Sequence, residues 1–179
     1  RNSVALGPRW TTRPRSSTMA WRVSVRASLA CCSTMITAIP ASAELNRAWI
    51  EQLFRLEDAD VHLLSHPEAS IIATGGQIFF AMDGERAVGT AAAIRVSPAT
   101  FELGKMAVSP SHQGQGLGER LGRAVIEFAR REGASLVYLE TNSALANAIR
   151  LYQRLGFVHA TRPTPSEYAR ADVYMEVRL

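Results

Sequence analysis

Cysteine is almost absent from this chain, and the two that occur, Cys31 and Cys32, are neighbours in the sequence. A disulfide between adjacent residues would be strained, so the sequence offers no disulfide framework. Metal-ligand spacing is lacking as well. His62 and His66 are one helical turn apart, but no third ligand accompanies them. We therefore predict neither a disulfide scaffold nor a metal site.

Long apolar runs are also missing, since no stretch reaches the roughly 20 residues that cross a bilayer. We therefore expect no membrane partner. The chain has 179 residues, of which 47% are hydrophobic. This is enough for one buried core but not for two domains of ordinary size.

The folded part of the chain lacks an excess of positive charge, although the whole chain has a pI near 9.6. Residues 1–43 hold six arginines and no acidic residue, whereas the remainder holds 14 basic and 16 acidic side chains. A nucleic-acid-binding domain needs a basic face of its own. We therefore expect no nucleic-acid partner.

The basic N-terminal segment, residues 1–35, is rich in Arg, Ser and Thr and has no periodic apolar pattern. Three interpretations stay open: sequence that is not native to the domain, a transit peptide, or a secretory signal that starts at Met19 and ends near residues 41–43. We rank a disordered or non-native extension first and place one domain at residues 36–179. The expected location is then cytoplasmic, with organellar targeting or secretion left open.

The rest of the chain alternates helical and strand patterns. Apolar spacing and turn residues predict helices over 44–54 and 58–66, a hairpin of strands 77–82 and 87–94 joined at Asp83-Gly84, a strand over 101–108, a helix from 117, a strand over 136–140, a helix over 145–155, and strands over 157–161 and 173–179. This order predicts an α/β fold with a central mixed sheet flanked by helices.

A glycine-rich segment, Gln113-Gly114-Gln115-Gly116-Leu117-Gly118, lies between a predicted strand and a predicted helix. Glycines let successive backbone N–H groups turn toward one anion, and the helix N-terminus adds the positive end of its dipole. On its own the segment fits a phosphate site and a tight turn equally well. It lacks the Gly-Lys-Ser/Thr ending of a nucleotide-hydrolysing loop, and it comes too late in the chain for a dinucleotide fingerprint.

Two separated motifs resemble the GNAT acetyltransferase superfamily. The cofactor motif of that family is Gln or Arg, two residues, Gly, one residue, and Gly or Ala, and Gln113, Gly116 and Gly118 match it. Downstream, residues 139–142 and 147–157 are similar to the second CoA-contacting region of the family. The resemblance covers about residues 44–179. It implies a GNAT-like N-acyltransferase fold, acetyl-CoA as co-substrate and an amine as acceptor.

The resemblance also implies where acetyl-CoA binds. The loop backbone would hold the pyrophosphate, and the preceding strand would pair with pantetheine where it splays from the strand over 136–140. The implied cofactor-binding residues are Met106, Ala107, Val108, Gln113, Gly114, Gln115, Gly116, Leu117, Gly118, Asn142 and Asn147. The simpler alternatives make Met106 and Val108 core residues and Asn147 a surface amide near a helix start.

Two residues would carry the catalysis that the resemblance implies. Tyr152 matches the family's tyrosine that points at the CoA sulfur, and a phenol with an ordinary pKa of about 10 can donate a proton to a departing thiolate. Glu102 lies where family members often use a glutamate to take the amine proton through water, and partial burial would raise its pKa toward neutrality. The alternatives are a core aromatic for Tyr152, an exposed strand acid for Glu102, and Glu140 as the next candidate base.

We therefore expect an acetyl-CoA-dependent N-acetyltransferase that acts on a primary amine of a small molecule or a protein. The polar cluster of Tyr168, Arg170 and Asp172 would either bind a polar acceptor or cap the sheet edge. A CoA-binding module without turnover and a transferase of another acyl group are the alternatives. A homodimer is left open.

Overall fold

The computed structural model of the chain describes residues 22–25 and 33–179, with side chains from residue 40 onward. The elements are β1 (Arg22–Val25), α1 (Ser33–Leu53), α2 (Asp58–Ser65), a π-helical turn (Glu68–Ile72), β2 (Gln77–Asp83), β3 (Arg86–Ser97), β4 (Thr100–Val108), a 3-10 turn (Pro110–His112), α3 (Leu117–Arg131), β5 (Leu136–Thr141), α4 (Ala146–Arg154), β6 (Val158–His159) and β7 (Val173–Arg178).

The described strands form a seven-stranded sheet in the order β1-β2-β3-β4-β5-β7-β6. The β4–β5 pair is parallel, and the other neighbouring pairs are antiparallel. A parallel pair needs a crossover connection, which α3 supplies. The predicted mixed sheet with flanking helices is confirmed.

Alternation along β2 assigns its side chains to two faces of the sheet. Phe79 and Ala81 belong to the core that α3 covers, whereas Ile78 and Phe80 belong to a smaller core beside the π-helical turn. The covering face of α3 is apolar at helical spacing, with Leu117, Leu121, Val125 and Ala129 buried. The centre of the sheet is therefore buried on both faces, which fixes the positions of the strands around the site.

The start of the fold differs from the expectation for residues 1–35. Strand β1 lies inside that range and pairs with residues 79–82 of β2. A four-residue strand is too short for its alternation to stand out in a sequence. The remainder of the N-terminal segment, including Met19, Cys31 and Cys32, lies outside the described residues.

Helix α1 also begins earlier than predicted, at Ser33 rather than near residue 44. Pro40 lies inside this helix, and an internal proline ordinarily ends or kinks a helix, which is why the sequence pattern indicated a later start. The other predicted elements are present with small shifts of their ends. Among the described helices, none is both long and apolar enough to cross a membrane.

Candidate active site

Strands β4 and β5 are paired over only part of their length. The parallel ladder joins residues 100–102 to residues 136–138 and ends there, although β4 continues to Val108 and β5 to Thr141. Main-chain groups on this side of β4 therefore face the gap between the two strands. The splay that the resemblance implied is present, and it begins directly after Glu102.

A β-bulge changes the direction of β4 in the same place. The register between β3 and β4 shifts between the pairs Thr90–Ala107 and Ala92–Gly104, so that two residues of β4, Lys105 and Met106, have no one-to-one partners on β3. Lys105 has a φ of 48° and is the one described non-glycine residue with positive φ. Left-handed backbone costs an L-residue roughly 1–2 kcal/mol, so the surroundings of Lys105 must stabilise it.

Three long-range hydrogen bonds hold Lys105 in this conformation. Its carbonyl oxygen accepts a hydrogen bond from Nδ2 of the buried Asn46 at 3.0 Å. Its Nζ donates to Oδ1 of Asp60 at 2.8 Å and to Oη of Tyr168 at 2.9 Å. Helices α1 and α2 thus fix the backbone of the bulge from two sides.

Asp60 is the centre of what we call the ionic cluster, formed by Glu57, Asp60, Lys105 and Arg170. The Asp60 side chain is fully buried, and besides Lys105 it accepts from two guanidinium nitrogens of Arg170 at 2.6 and 2.9 Å. Burial opposes ionisation of Asp60, but the hydrogen bonds from Arg170 and Lys105 outweigh it and lower its pKa. Arg170 also pairs with Oε1 of Glu57 at 2.8 Å.

The predicted polar cluster of Tyr168, Arg170 and Asp172 is divided by the structure. All three lie in the loop between β6 and β7, residues 160–172, which we call the closing loop. The Tyr168 ring lies against both cations, 4.6 Å from Nζ of Lys105 and 4.7 Å from Cζ of Arg170. Asp172 lies apart and accepts from the backbone and hydroxyl of Ser143 at 2.7 and 2.6 Å. Asp172 therefore fastens the closing loop to the end of β5.

A cavity opens between the splayed strands, α1, α2 and the closing loop. Its lining includes Trp49, Phe54, Asp60, Glu102, Lys105, Met106, Glu140, Asn142, Leu145, Tyr168 and Arg170. Backbone from the bulge, one aromatic wall and several carboxylates thus meet in one place. The sequence had indicated Glu102, Met106 and Asn142 for this region, but not Trp49, Asp60 or Lys105.

Glu102 lies in this cavity with a pKa raised to about 7. Burial is the main cause and the charge of Glu140 adds to it, whereas Lys105 and a hydrogen bond from Tyr138 Oη at 3.4 Å act in the opposite direction. The shift toward neutrality has the expected direction. The candidate second base, Glu140, is engaged elsewhere: it pairs with Nε of Arg162 at 2.8 Å and accepts from the Ser166 hydroxyl.

The glycine-rich loop connects β4 to α3. Gly114 and Gly116 both have a φ of 75°, and a Cβ at either position would meet no atom within 4 Å. Their backbone conformation, and not a lack of space, therefore requires glycine. Gly116 is the N-cap of α3, so the unpaired N–H groups of the first helical turn are directed at this loop. The side chains of Gln113 and Gln115 donate back to the carbonyls of Val108 and Ser111.

Some residues predicted to bind the cofactor have side chains that pack in the protein. A Cβ on Gly118 would lie 3.0 Å from Leu151, so glycine permits close packing of α3 against α4. Leu117 and Ala107 are buried in the core, and Met106 and Val108 pack against it. For Leu117 and Ala107 the main chain is what is left for a ligand, whereas Met106 also lines the cavity.

Asn142, Asn147 and Tyr152 lie beyond the end of β5. Asn142 Nδ2 donates to the carbonyl of Arg170 at 2.5 Å, which ties β5 to the closing loop. Asn147 is exposed and its Oδ1 accepts from Arg150. The Tyr152 ring makes an edge contact with Phe157 at a centroid distance of 6.1 Å, and burial raises its pKa to about 12. Its hydroxyl therefore stays protonated at any working pH.

A splayed parallel pair, a bulged strand and a glycine-rich helix start are the features of an acyl-CoA N-acyltransferase fold. The family model described as acetyltransferase (GNAT) family matches residues 42–157. The chain belongs to this family.

Similar proteins agree with this assignment. N-acetyltransferase 8B of Rattus norvegicus is 36% identical over 97 residues, which are 51% of this chain and 44% of that protein. An uncharacterized N-acetyltransferase of Bacillus subtilis (strain 168) is 30% identical over 101 residues, 55% of this chain and 65% of that protein. The chain thus spans less than half of the rat relative that it matches.

Solved structures show the same fold. A GNAT-family acetyltransferase of Staphylococcus aureus Mu50 superposes with a TM-score of 0.75 at 18% identity, over 89% of this chain and 99% of that one. A Salmonella typhimurium structure described with its cofactor acetyl-CoA gives a TM-score of 0.63 at 24% identity, over 88% and 94% of the two chains.

Proposed function

We propose that this chain is an acetyl-CoA-dependent N-acetyltransferase that acetylates a primary amine of a small-molecule or protein acceptor. The observation that carries the proposal is the separation of β4 from β5 next to the bulge, at the mouth of a cavity that contains Glu102. Membership of the GNAT family supports the same reaction class. A cytoplasmic location and a homodimer stay predictions from the sequence.

The residues present fit acetyl-CoA. Positive φ at Gly114 and Gly116 turns backbone N–H groups toward one point at the start of α3, which suits a pyrophosphate. The main chain of Met106–Val108, free of a ladder to β5, suits the pantetheine arm as an added strand. When bound, acetyl-CoA supplies a thioester whose carbonyl carbon an amine can attack. A β4 backbone N–H in the splay would polarise that carbonyl.

Glu102 is the proposed general base. An acceptor amine arrives mainly as an ammonium ion and must lose a proton before it can form the new bond. A carboxylate with a pKa of about 7 accepts that proton, directly or through one water, and is still largely ionised at slightly alkaline pH. This role also explains why an acid is kept at a largely buried position of the sheet.

Tyr152 is the proposed general acid. With a pKa of about 12, Oη is protonated when the sulfur would leave as a thiolate; it would donate its proton there and recover one from solvent. The edge contact with Phe157 fixes the orientation of the ring. A proton donor needs a fixed orientation, but a residue that only packs in the core would have one as well. Substitution of the hydroxyl alone separates these two interpretations.

The test is release of free thiol from acetyl-CoA in the presence of a panel of primary amines. We expect release that depends on the amine, with stoichiometric N-acetylated product by mass spectrometry. Binding of acetyl-CoA without release by any amine would favour the CoA-binding module instead. Faster release from propionyl-CoA or a longer acyl-CoA would favour transfer of another acyl group.

A further inference from the structure

Of the described charged residues that line the cavity or pair with those that do, some have an ion-pair partner and one does not. Lys105 and Arg170 carry two positive charges, and Asp60 and Glu57, which pair with them, carry two negative charges. The ionic cluster is thus closed and neutral. Glu140 is paired with Arg162. Among the described acids that line the cavity, Glu102 is the one without an ion-pair partner within 4.0 Å.

Most hydrogen-bond donors of the two cations are engaged within the cluster or with Tyr168. Arg170 directs one terminal nitrogen to both Glu57 and Asp60 and the other to Asp60. Lys105 directs Nζ to Asp60 and Tyr168, and only 7% of its side chain is exposed. A carboxylate on the acceptor would meet two cations whose charges Asp60 and Glu57 already neutralise, and it would lie near Glu102.

Part of the cavity wall is aromatic. Trp49 and Phe54 on and after α1 meet edge to face at a centroid distance of 6.3 Å, and both line the cavity while remaining partly exposed. Trp49 Nε1 donates to Oδ1 of Asn46 at 3.4 Å, which orients the indole. Such a wall offers contact area to an apolar or aromatic body and a favourable surface for a cation.

We propose that the acceptor is a primary amine on an apolar, preferably aromatic, body that carries no carboxylate next to the amine. This inference rests on the proposed acetyltransferase function. The ammonium group pairs with Glu102, which then takes its proton, and the body lies on Trp49 and Phe54. The closed ionic cluster disfavours an amino-acid carboxylate, because like charges placed together without a counterion repel each other.

A matched set of three acceptors tests the inference: phenethylamine, phenylalaninamide and phenylalanine. They share the aromatic body and the amine, and the amide has nearly the size of the acid without its charge. We expect kcat/KM for phenethylamine and for phenylalaninamide to exceed that for phenylalanine by at least about tenfold, as charge repulsion at one site would give. If kcat/KM for phenylalaninamide is as low as that for phenylalanine, the size of the substituent and not its charge determines acceptor preference, and the inference is overturned. Equal or faster acetylation of phenylalanine overturns it as well.

Variants of the ionic cluster test whether it causes the preference for acceptors without a carboxylate. E57Q, whose parent side chain is partly exposed, and D60N both leave positive charge in excess beside the cavity, so we expect the ratio of phenylalaninamide to phenylalanine to fall at least about threefold. E127Q removes an equal charge from the exposed face of α3 and should leave the ratio unchanged. An unchanged ratio in folded E57Q overturns the role of the cluster, even if D60N does not fold.

The failure of this inference is distinguishable from the failure of the proposed function. Thiol release with aliphatic polyamines or lysine peptides but with none of the three aromatic acceptors overturns the acceptor class alone. Absence of thiol release with every amine, in a protein that acetyl-CoA still stabilises, overturns the acetyltransferase proposal itself.

Discussion

At the scale of single residues, we expect the carboxyl group of Glu102 to determine how turnover responds to pH. It must be ionised to accept a proton, so we expect kcat/KM of the wild type to fall about tenfold per pH unit below its pKa of about 7. E102Q should have low activity without this fall. A pH–rate profile of both proteins is the measurement. If the fall persists in E102Q, the acceptor's own deprotonation causes it, and the base is Glu140 or solvent.

Glu102 also makes folding stability depend on pH. Its pKa rises from the ordinary 4.5 to about 7 on folding, so the fold favours the protonated form. The associated stability is fully present below pH 4.5 and is lost as pH rises to about 7. E102Q has no carboxyl group at this position, so its stability does not decrease in this way. At about 1.4 kcal/mol per pKa unit, the free energy of unfolding of E102Q minus that of wild type should be about 2–3 kcal/mol larger at pH 8 than at pH 5. Urea titrations at both pH values check this, and a difference that does not change with pH contradicts it.

Tyr152 tests the other half of the proton transfer. Y152F keeps the ring that packs on Phe157 and removes only the hydroxyl. We expect kcat to fall by ~10²–10⁴ while acetyl-CoA affinity stays nearly constant. Steady-state kinetics together with calorimetric titration of acetyl-CoA give both quantities. Full kcat in Y152F would leave Tyr152 as a core aromatic residue.

The residues that a motif indicated lie close to it in the sequence, whereas those that it missed are brought together only by the fold. The family resemblance indicated Glu102 and Tyr152 because both lie at fixed distances from a short motif. Glu102 lines the cavity, and the catalytic roles of both residues stay predictions. Lys105 and Asp60 are 45 positions apart, and their pairing depends on how α2 packs beside the bulge. In the sequence, Asp60 is indistinguishable from an ordinary acidic residue in the first turn of a helix.

At the scale of elements, the turn between β4 and α3 is where the backbone conformation matters most. Valine at Gly116 would have to adopt a φ of 75°, which a β-branched residue resists. We expect acetyl-CoA to raise the Tm of the wild type, corresponding to about 2.7 kcal/mol at 100 times Kd, and G116V to abolish the increase. Thermal shift assays with and without acetyl-CoA measure it.

Gly133 provides the matched control for this substitution. It has a φ of 78°, and a Cβ there would also meet no atom within 4 Å, but it follows the other end of α3. G133V should therefore lower the Tm about as much as G116V and keep the increase caused by acetyl-CoA. If G116V keeps the increase too, the loop is only a turn.

The elements that could be predicted are those whose pattern is local. Helix α3 repeats its apolar residues over four turns, and the hairpin of β2 and β3 has Asp83-Gly84 at its tip, so both were clear in the sequence. The first half of α1 was hidden by Pro40, and β1 by its four-residue length. The splay between β4 and β5 leaves no sequence signal of its own, because it is an absence of pairing, and only the family resemblance indicated it.

At the scale of the whole molecule, β1 determines which strand forms the edge of the sheet. Removal of residues 1–32 takes β1 away and leaves β2 with unpaired backbone groups. We expect a Tm lower by at least about 3 °C, since 1 kcal/mol corresponds to about 2–4 °C in a domain of this size, and more self-association in sedimentation experiments. Removal of residues 1–21 keeps β1 and should change neither quantity. If the two truncated proteins have the same Tm and the same self-association, β1 does not stabilise the sheet or protect its edge.

The single carboxylate of Asp60 pairs with two cations that belong to different parts of the protein, Arg170 on the closing loop and Lys105 on the bulge. An acceptor that shifts the closing loop and draws Arg170 away leaves Lys105 to neutralise Asp60 alone. The conformation of the bulge, where the thioester would lie, then changes with it. Because such coupling is reciprocal, bound acetyl-CoA must change the affinity for the acceptor by the same factor as the acceptor changes the affinity for acetyl-CoA. Through Asp60 the binding of the two substrates would thus be coupled to the same extent, whichever of them binds first.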